Sequence, residues 1–109
     1  MNELESALLK ELTGGAEPKL LLRTGTRIDA GRWWRRTPVW LCILKTELIL
    51  FSVASRRYVE RVPLTECQSS HYAHATGELA IDPCETLRIK RLSLTPREAL
   101  NAIDFLKKS

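Results

Sequence analysis

Residues 32–52 read RWWRRTPVWLCILKTELILFS, and how this stretch is parsed decides the fold. Val39 to Leu44 is the longest apolar run in the chain, and Leu48 to Phe51 follows after a short polar break. Runs of this length, bounded by turn-forming residues, predict buried strands over residues 39–45 and 48–53, joined tightly at Thr46-Glu47 so that the second returns beside the first. Ahead of them, Arg32-Trp33-Trp34-Arg35-Arg36 sits in a segment carrying Gly31 and Pro38, read as a loop over residues 30–38.

Moving outward, the strand signal continues on both sides. Residues 19–29 place Leu20, Leu21, Leu22 and Ile28 among threonines and arginines, as in a long edge strand. A turn at residues 54–56 leads into a strand over residues 57–62, which Pro63 ends because it has no N–H for a ladder. A weaker strand is expected at residues 67–73, then a turn at 74–77, a strand at 78–82, and an alternating strand at 86–91 with Leu87 and Ile89 opposite Arg88 and Lys90. The links are short, so the strands are expected to be antiparallel.

Helices bracket this β region. Asn2 and Glu5 have capping-box spacing, and Leu4, Leu8 and Leu12 share a face with Ala7, so residues 2–12 predict a short amphipathic helix ended by Gly14 or Gly15. It is too short to be stable alone and must dock, on the domain wall or on a second copy as a homodimer contact. Residues 13–18 read as a connector. At the other end, Thr95-Pro96-Arg97-Glu98 is a second capping box, followed by an apolar stripe of Ala99, Ala102, Ile103 and Leu106 widened by Leu100. The expected fold is therefore mainly β within an α+β class: a seven-stranded antiparallel barrel or sandwich over residues 19–109, capped by a C-terminal helix and preceded by an N-terminal one.

The 109-residue chain supports one domain. No apolar run approaches the roughly 20 residues of a spanning helix. Glu3 and Glu5 occupy the place of a basic signal-peptide start, and Met1 reads as the head of a free-standing protein. Cys42, Cys67 and Cys84 are few, odd in number and widely spaced, which fits a reducing cytosol better than a disulfide framework. Net charge is +4, but residues 19–61 hold ten Lys and Arg against three acids, so the positive field lies in the first half. Such a field favours anionic partners: lipid head groups, nucleic acid or acidic protein segments.

The order of elements resembles the pleckstrin-homology superfold, with its bacterial PH-like and GRAM-like branches. WLCILKTELILFS (residues 40–52) resembles that family's second and third strands, and TPREALNAIDFLKK (residues 95–108) is similar to its closing helix. The likeness spans roughly residues 19 to 108. In lipid-binding members, basic residues at the end of strand one, in the next loop and at the start of strand two grip phosphates. The resemblance implies that role for Arg27, Arg32, Arg35 and Arg36, and places Arg56 and Arg57 on the same open end. This chain has Pro38 and Trp40 where such members alternate a basic residue into strand two, and Phe105 where the eukaryotic helix carries tryptophan. Other members serve as protein-interaction scaffolds.

Read from the residues alone, the same loop has two meanings. Arginine pairs with phosphate or carboxylate through two parallel hydrogen bonds, and Trp33 or Trp34 can sit at a membrane interface or stack on a base. Equally, the tryptophans can cover the rim of the fold beneath solvated arginines. Cys67, His71, His74 and Cys84 suggest zinc, but on a strand Cys67 and His71 would lie about 13 Å apart, and the spacing lacks paired ligands at both ends. No metal, cofactor or catalytic set is expected; GxSxG, HExxH and a phosphate-cradling glycine loop are all absent. The expectation is a non-catalytic module of the cytosol, peripheral to a membrane in one version. It would engage an acidic protein segment or anionic lipid head groups through Arg27, Arg32, Trp33, Trp34, Arg35, Arg36, Arg56 and Arg57. The alternative is a small barrel binding single-stranded nucleic acid.

Overall fold

The expected hairpin forms the centre of a four-stranded antiparallel meander, β1 (Leu20–Asp29), β2 (Arg36–Ile43), β3 (Glu47–Val53) and β4 (Arg57–Pro63), in that order across the sheet. The computed structural model describes residues 1–29, 36–53, 57–82 and 87–107, with Asp29 and Arg36 described by their backbone alone. A second antiparallel sheet follows: β5 (His71–Ala73), β6 (Glu78–Ala80) and β7 (Arg91–Ser93). The helices are α1 (Glu3–Thr13) and α2 (Pro96–Lys107). No described helix is long and apolar enough to cross a membrane.

The α+β class, the antiparallel pairing and seven strands are present among the described residues; a closed barrel is not. Among those residues two seams stay unpaired, β4–β5 and β1–β7, and at the second the cause lies in β1. Between the pairs Arg23–Trp40 and Arg27–Pro38, three residues of β1 stand opposite one of β2, a bulge that bends the strand. The Thr24 hydroxyl donates to the Val39 carbonyl at 2.7 Å, serving a group the bulge takes out of the ladder. Gly25 and Thr26 are thereby brought beside β7, where the Ser93 N–H donates to Thr26 Oγ1 at 2.8 Å. This hydroxyl–amide contact stands where a barrel would need a backbone ladder.

β3 is buried along almost its whole length, because its sheet is covered on both sides. On the inner side Val39, Leu41, Ile43, Leu48, Leu50 and Val62 meet the second sheet and α2, which contributes Ala99, Ala102 and Leu106. On the outer side Cys42, Ile49, Phe51 and Val53 lie beneath Leu8 of α1. The molecule is therefore three-layered: α1, the four-stranded sheet, then the small sheet with α2.

Several boundaries depart from expectation. β2 begins at Arg36, inside the loop expected over residues 30–38, of which residues 30–35 lie outside the described ones; Pro38 precedes the β2–β3 pairs, which run from Trp40 to Ile43, so its missing N–H removes no bond from that ladder. The strand expected at 67–73 shrinks to β5. A 3-10 turn at Leu64–Glu66 follows Pro63, and the buried Ser70 hydroxyl donates to the Cys67 carbonyl at 2.6 Å while accepting the Asp82 N–H at 3.2 Å. The strand expected at 86–91 becomes β7, further along. Residues 87–90 keep Leu87 and Ile89 turned inward, but the Arg88 amide is taken by a side chain: Glu60 accepts its N–H at 2.8 Å.

Both capping boxes are made. Asn2 and Glu5 exchange bonds at 2.8 and 3.0 Å, Thr95 and Glu98 at 3.3 and 3.1 Å, and α1 ends at Gly14 with φ 64°. The buried face of α1 is rotated from the one expected. Glu5, Leu8, Leu9 and Leu12 turn to the sheet, while Leu4 is 61 % exposed and Ala7 faces solvent. In α2, Leu100 is likewise exposed and does not widen the buried stripe.

Candidate functional site

An up-and-down meander alternates its connections between two ends of the sheet. The β1–β2 connection runs from Asp29 to Arg36 and the β3–β4 connection from Val53 to Arg57, so the strand ends flanking both lie at one end. These are the connections that carry the arginines. Arg32, Trp33, Trp34, Arg35 and Arg56 lie outside the described residues, as does the side chain of Arg36. Arg27 and Arg57 are described, and both are exposed.

The strand registers place further groups near that end, on the side that α1 occupies. Arg23 stands directly opposite Trp40, and Arg27 opposite Pro38; both arginines reach solvent. Among the described residues three ion pairs form: Arg57–Glu11 at 2.7 Å, Arg61–Glu47, and Arg91–Glu78 at 3.5 Å. Arg61 is gripped by both Glu47 oxygens, and that hydrogen bonding raises its pKa above the ordinary value. Neither Arg23 nor Arg27 is held by a carboxylate among the described residues. Their charge is available to an anion.

Trp40 stacks on Phe51, with ring centroids 6.4 Å apart and planes 12° from parallel. Its indole N–H donates to Glu5 Oε2 at 2.6 Å. Glu5 is 6 % exposed, and its other oxygen accepts the Asn2 N–H. A buried carboxylate is stable only when such donors replace water. Glu11, two turns further along α1, accepts from Arg57. This pair is more than half exposed on both sides, so it contributes about 1 kcal/mol or less. Sequence reasoning missed Glu5 and Glu11 as partners of the basic region. The capping box explained Glu5 locally, and no local pattern marks a contact to Trp40 or Arg57.

The described thiols are poorly placed for nucleophilic chemistry. Cys42 is fully buried, and burial first, then the Glu47 carboxylate, push its pKa up to about 11. The Cys67 thiol is also buried and donates to the Pro63 carbonyl at 3.6 Å. His71 and His74 are exposed, His74 edge-on to Tyr72 at 4.9 Å. Cys84, the fourth member of the zinc pattern, lies outside the described residues, and among the described ones no cluster of three metal-ligating side chains forms. A groove of about 270 Å³ between α1 and its connector is lined by Met1, Leu9, Lys10, Ala16 and Pro18, among others. It is largely apolar, with Ser6, Lys10 and Thr13 among its lining.

No family model matches the chain, and comparison with curated proteins and with solved structures returns no match either.

Proposed function

We propose that this chain is a non-catalytic binding module of the PH-like kind. It engages an anionic partner through the Arg/Trp connection between β1 and β2, with Arg56 and Arg57 in support. One observation carries the reading: the meander brings the strand ends flanking both arginine-bearing connections to the same end of one sheet, with Arg27 exposed near them and Arg23 exposed further along β1. Like charges gathered at one end raise the local concentration of an anion and orient its approach. The antiparallel strands followed by an amphipathic helix support the PH-like organisation. The sparse cysteines, two of them buried, support a reducing compartment such as the cytosol.

Two partner chemistries meet such a field: anionic lipid head groups and an acidic protein segment. Co-sedimentation with vesicles containing phosphatidylserine tests the first. Binding at low ionic strength should weaken with added salt and fall when Arg35 and Arg36 are both replaced by Ala. Absence of binding at low salt removes the lipid version. The adjacent Trp33 and Trp34 among arginines favour one further reading, stacking on single-stranded nucleic acid. Titrating tryptophan emission with an oligonucleotide tests it, and an unchanged signal at low salt counts against it.

A further inference from the structure

The outer face of β2 and β3 is a groove that holds a helix, and α1 shows which features it reads. The floor is Cys42, Ile49, Phe51 and Val53, all buried, into which Leu8 is inserted. At one end the Trp40 indole N–H holds the Glu5 carboxylate at 2.6 Å, and at the other the Arg57 guanidinium holds Glu11 at 2.7 Å. Leu9 and Leu12 line the flank. The recognised pattern along the helix is acid, two residues, Leu-Leu, one residue, acid: Glu5-Ser6-Ala7-Leu8-Leu9-Lys10-Glu11.

The occupant is weakly held by its own nature. α1 has 11 residues, below the length at which a helix persists in water without tertiary contacts. Its connector starts with Gly14 and Gly15, both at positive φ, so it has little intrinsic stiffness. The Glu11–Arg57 contact is exposed and adds little. Small, peripheral elements of this sort open at far lower cost than the whole fold.

We propose that the groove takes an acidic amphipathic helix of a protein partner in place of α1, and that α1 is a competitor in the same chain covering the apolar floor until the partner arrives. The proposal rests on the anionic-partner reading and narrows it. Side-chain carboxylates spaced along a leucine-bearing helix suit a groove with an apolar floor and one donor at each end. Because α1 is tethered, its effective concentration is in the millimolar range. An incoming helix therefore binds with an affinity reduced by the fraction of molecules in which α1 is released.

The test uses the full chain, isotopically labelled, as wild type and as the Glu5→Gln/Glu11→Gln variant, which keeps the leucines of α1. In the variant, α1 amides should exchange roughly ten-fold faster while those of β2 and β3 stay protected. A peptide of residues 1–13 with native sequence should shift the Trp40 indole resonance of the variant with an apparent affinity roughly ten-fold tighter than for wild type. A scrambled peptide of the same composition should leave it in place. If α1 amides in the variant remain as protected as those of β3, the occupant is not exchangeable and the proposal fails. It fails equally if α1 is released and the native peptide does not move the Trp40 signal, or if the scrambled peptide moves it as much. Should the double variant lose protection across the sheet, the milder Glu11→Gln variant is read by the same criteria. Vesicle and oligonucleotide binding involve no peptide, so the broader anionic-partner reading stands or falls separately.

Discussion

Glu5 and Trp40, 35 residues apart in the chain, are joined by a hydrogen bond from the indole N–H to a buried carboxylate oxygen at 2.6 Å. The same carboxylate closes the N-terminal cap of α1 through its other oxygen. One side chain thus completes a local structure and fixes where that structure docks. Without Trp40, Glu5 would still cap the helix, but burying it would cost more than the cap returns.

Trp40→Phe isolates that bond. The new ring can still stack on Phe51, but Glu5 Oε2 loses its donor while remaining covered. The expected loss is about 1–3 kcal/mol by urea denaturation. A Trp40→Phe/Glu5→Gln cycle should show non-additivity on the order of 1 kcal/mol, because the two residues are in direct contact.

Leu8→Ala should separate α1 from the sheet energetically. Leu8 is 1 % exposed and lies over Ile49 and Phe51, so truncation should cost about 2–3 kcal/mol, the lower part of the usual range because α1 can settle inward. Leu4→Ala, one turn earlier on the exposed face, should change stability by about 0.5 kcal/mol or less. Equal effects would mean that α1 docks through a different face.

Alkaline conditions should weaken the fold in two steps. Cys42 holds its proton up to about 11 against an ordinary 9.0, mainly because it is buried. Tyr58 is also raised above its ordinary 10.0, by burial and by its hydrogen bond to Glu60. In each case the folded state keeps a proton that the unfolded chain releases, so stability is full below the unfolded value and falls as pH rises through the folded one. The thiol's contribution, on the order of 1–3 kcal/mol, should disappear between pH 9 and 11. Replacing Cys42 with Ala should remove the early part of that decline and leave the later one, as followed by denaturation at stepped pH.

Gly25→Ala should destabilise through crowding rather than through backbone strain. A Cβ at this position would stand 3.0 Å from Ser93 Oγ and 3.2 Å from Ser93 Cβ. A loss of about 1–3 kcal/mol is expected, the scale for overpacking. Ser93→Gly in the same chain should recover part of it, since both clashing atoms are then gone. Thermal unfolding of the two single variants and the double variant reads the recovery directly.

The sequence announced some of these features plainly and others not at all. Both helices, their caps and the β2–β3 hairpin rest on local chemistry: a capping box, an αL glycine, a polar break between apolar runs. Such signals lie within a few residues of what they specify. β3 was legible as a strand only as a continuous apolar run, because a strand covered on both faces shows no alternation. Residues 86–91 misled for the opposite reason. Their inward alternation is real, but the Glu60 side chain of β4 takes the Arg88 amide that a ladder could use. The rotation of α1 has no local signal in the sequence. Glu5 is buried because Trp40 supplies a donor from a distant strand. The arginines on the two connections were visible from the start, and the topology adds that the strand ends flanking both lie at one end of the sheet.

The seam between β1 and β7 also has a mechanical meaning. Backbone ladders loaded along their strands resist a pull together, as many bonds in parallel. Among the described residues, this seam offers the Ser93 amide on the Thr26 hydroxyl and the packing of Ser93 against Gly25. Tension applied across it would load those contacts one after another, as a zip fastener is opened. The packed core between the two sheets takes the load only after that seam gives, so β1 and β7 mark where the sheets would begin to separate.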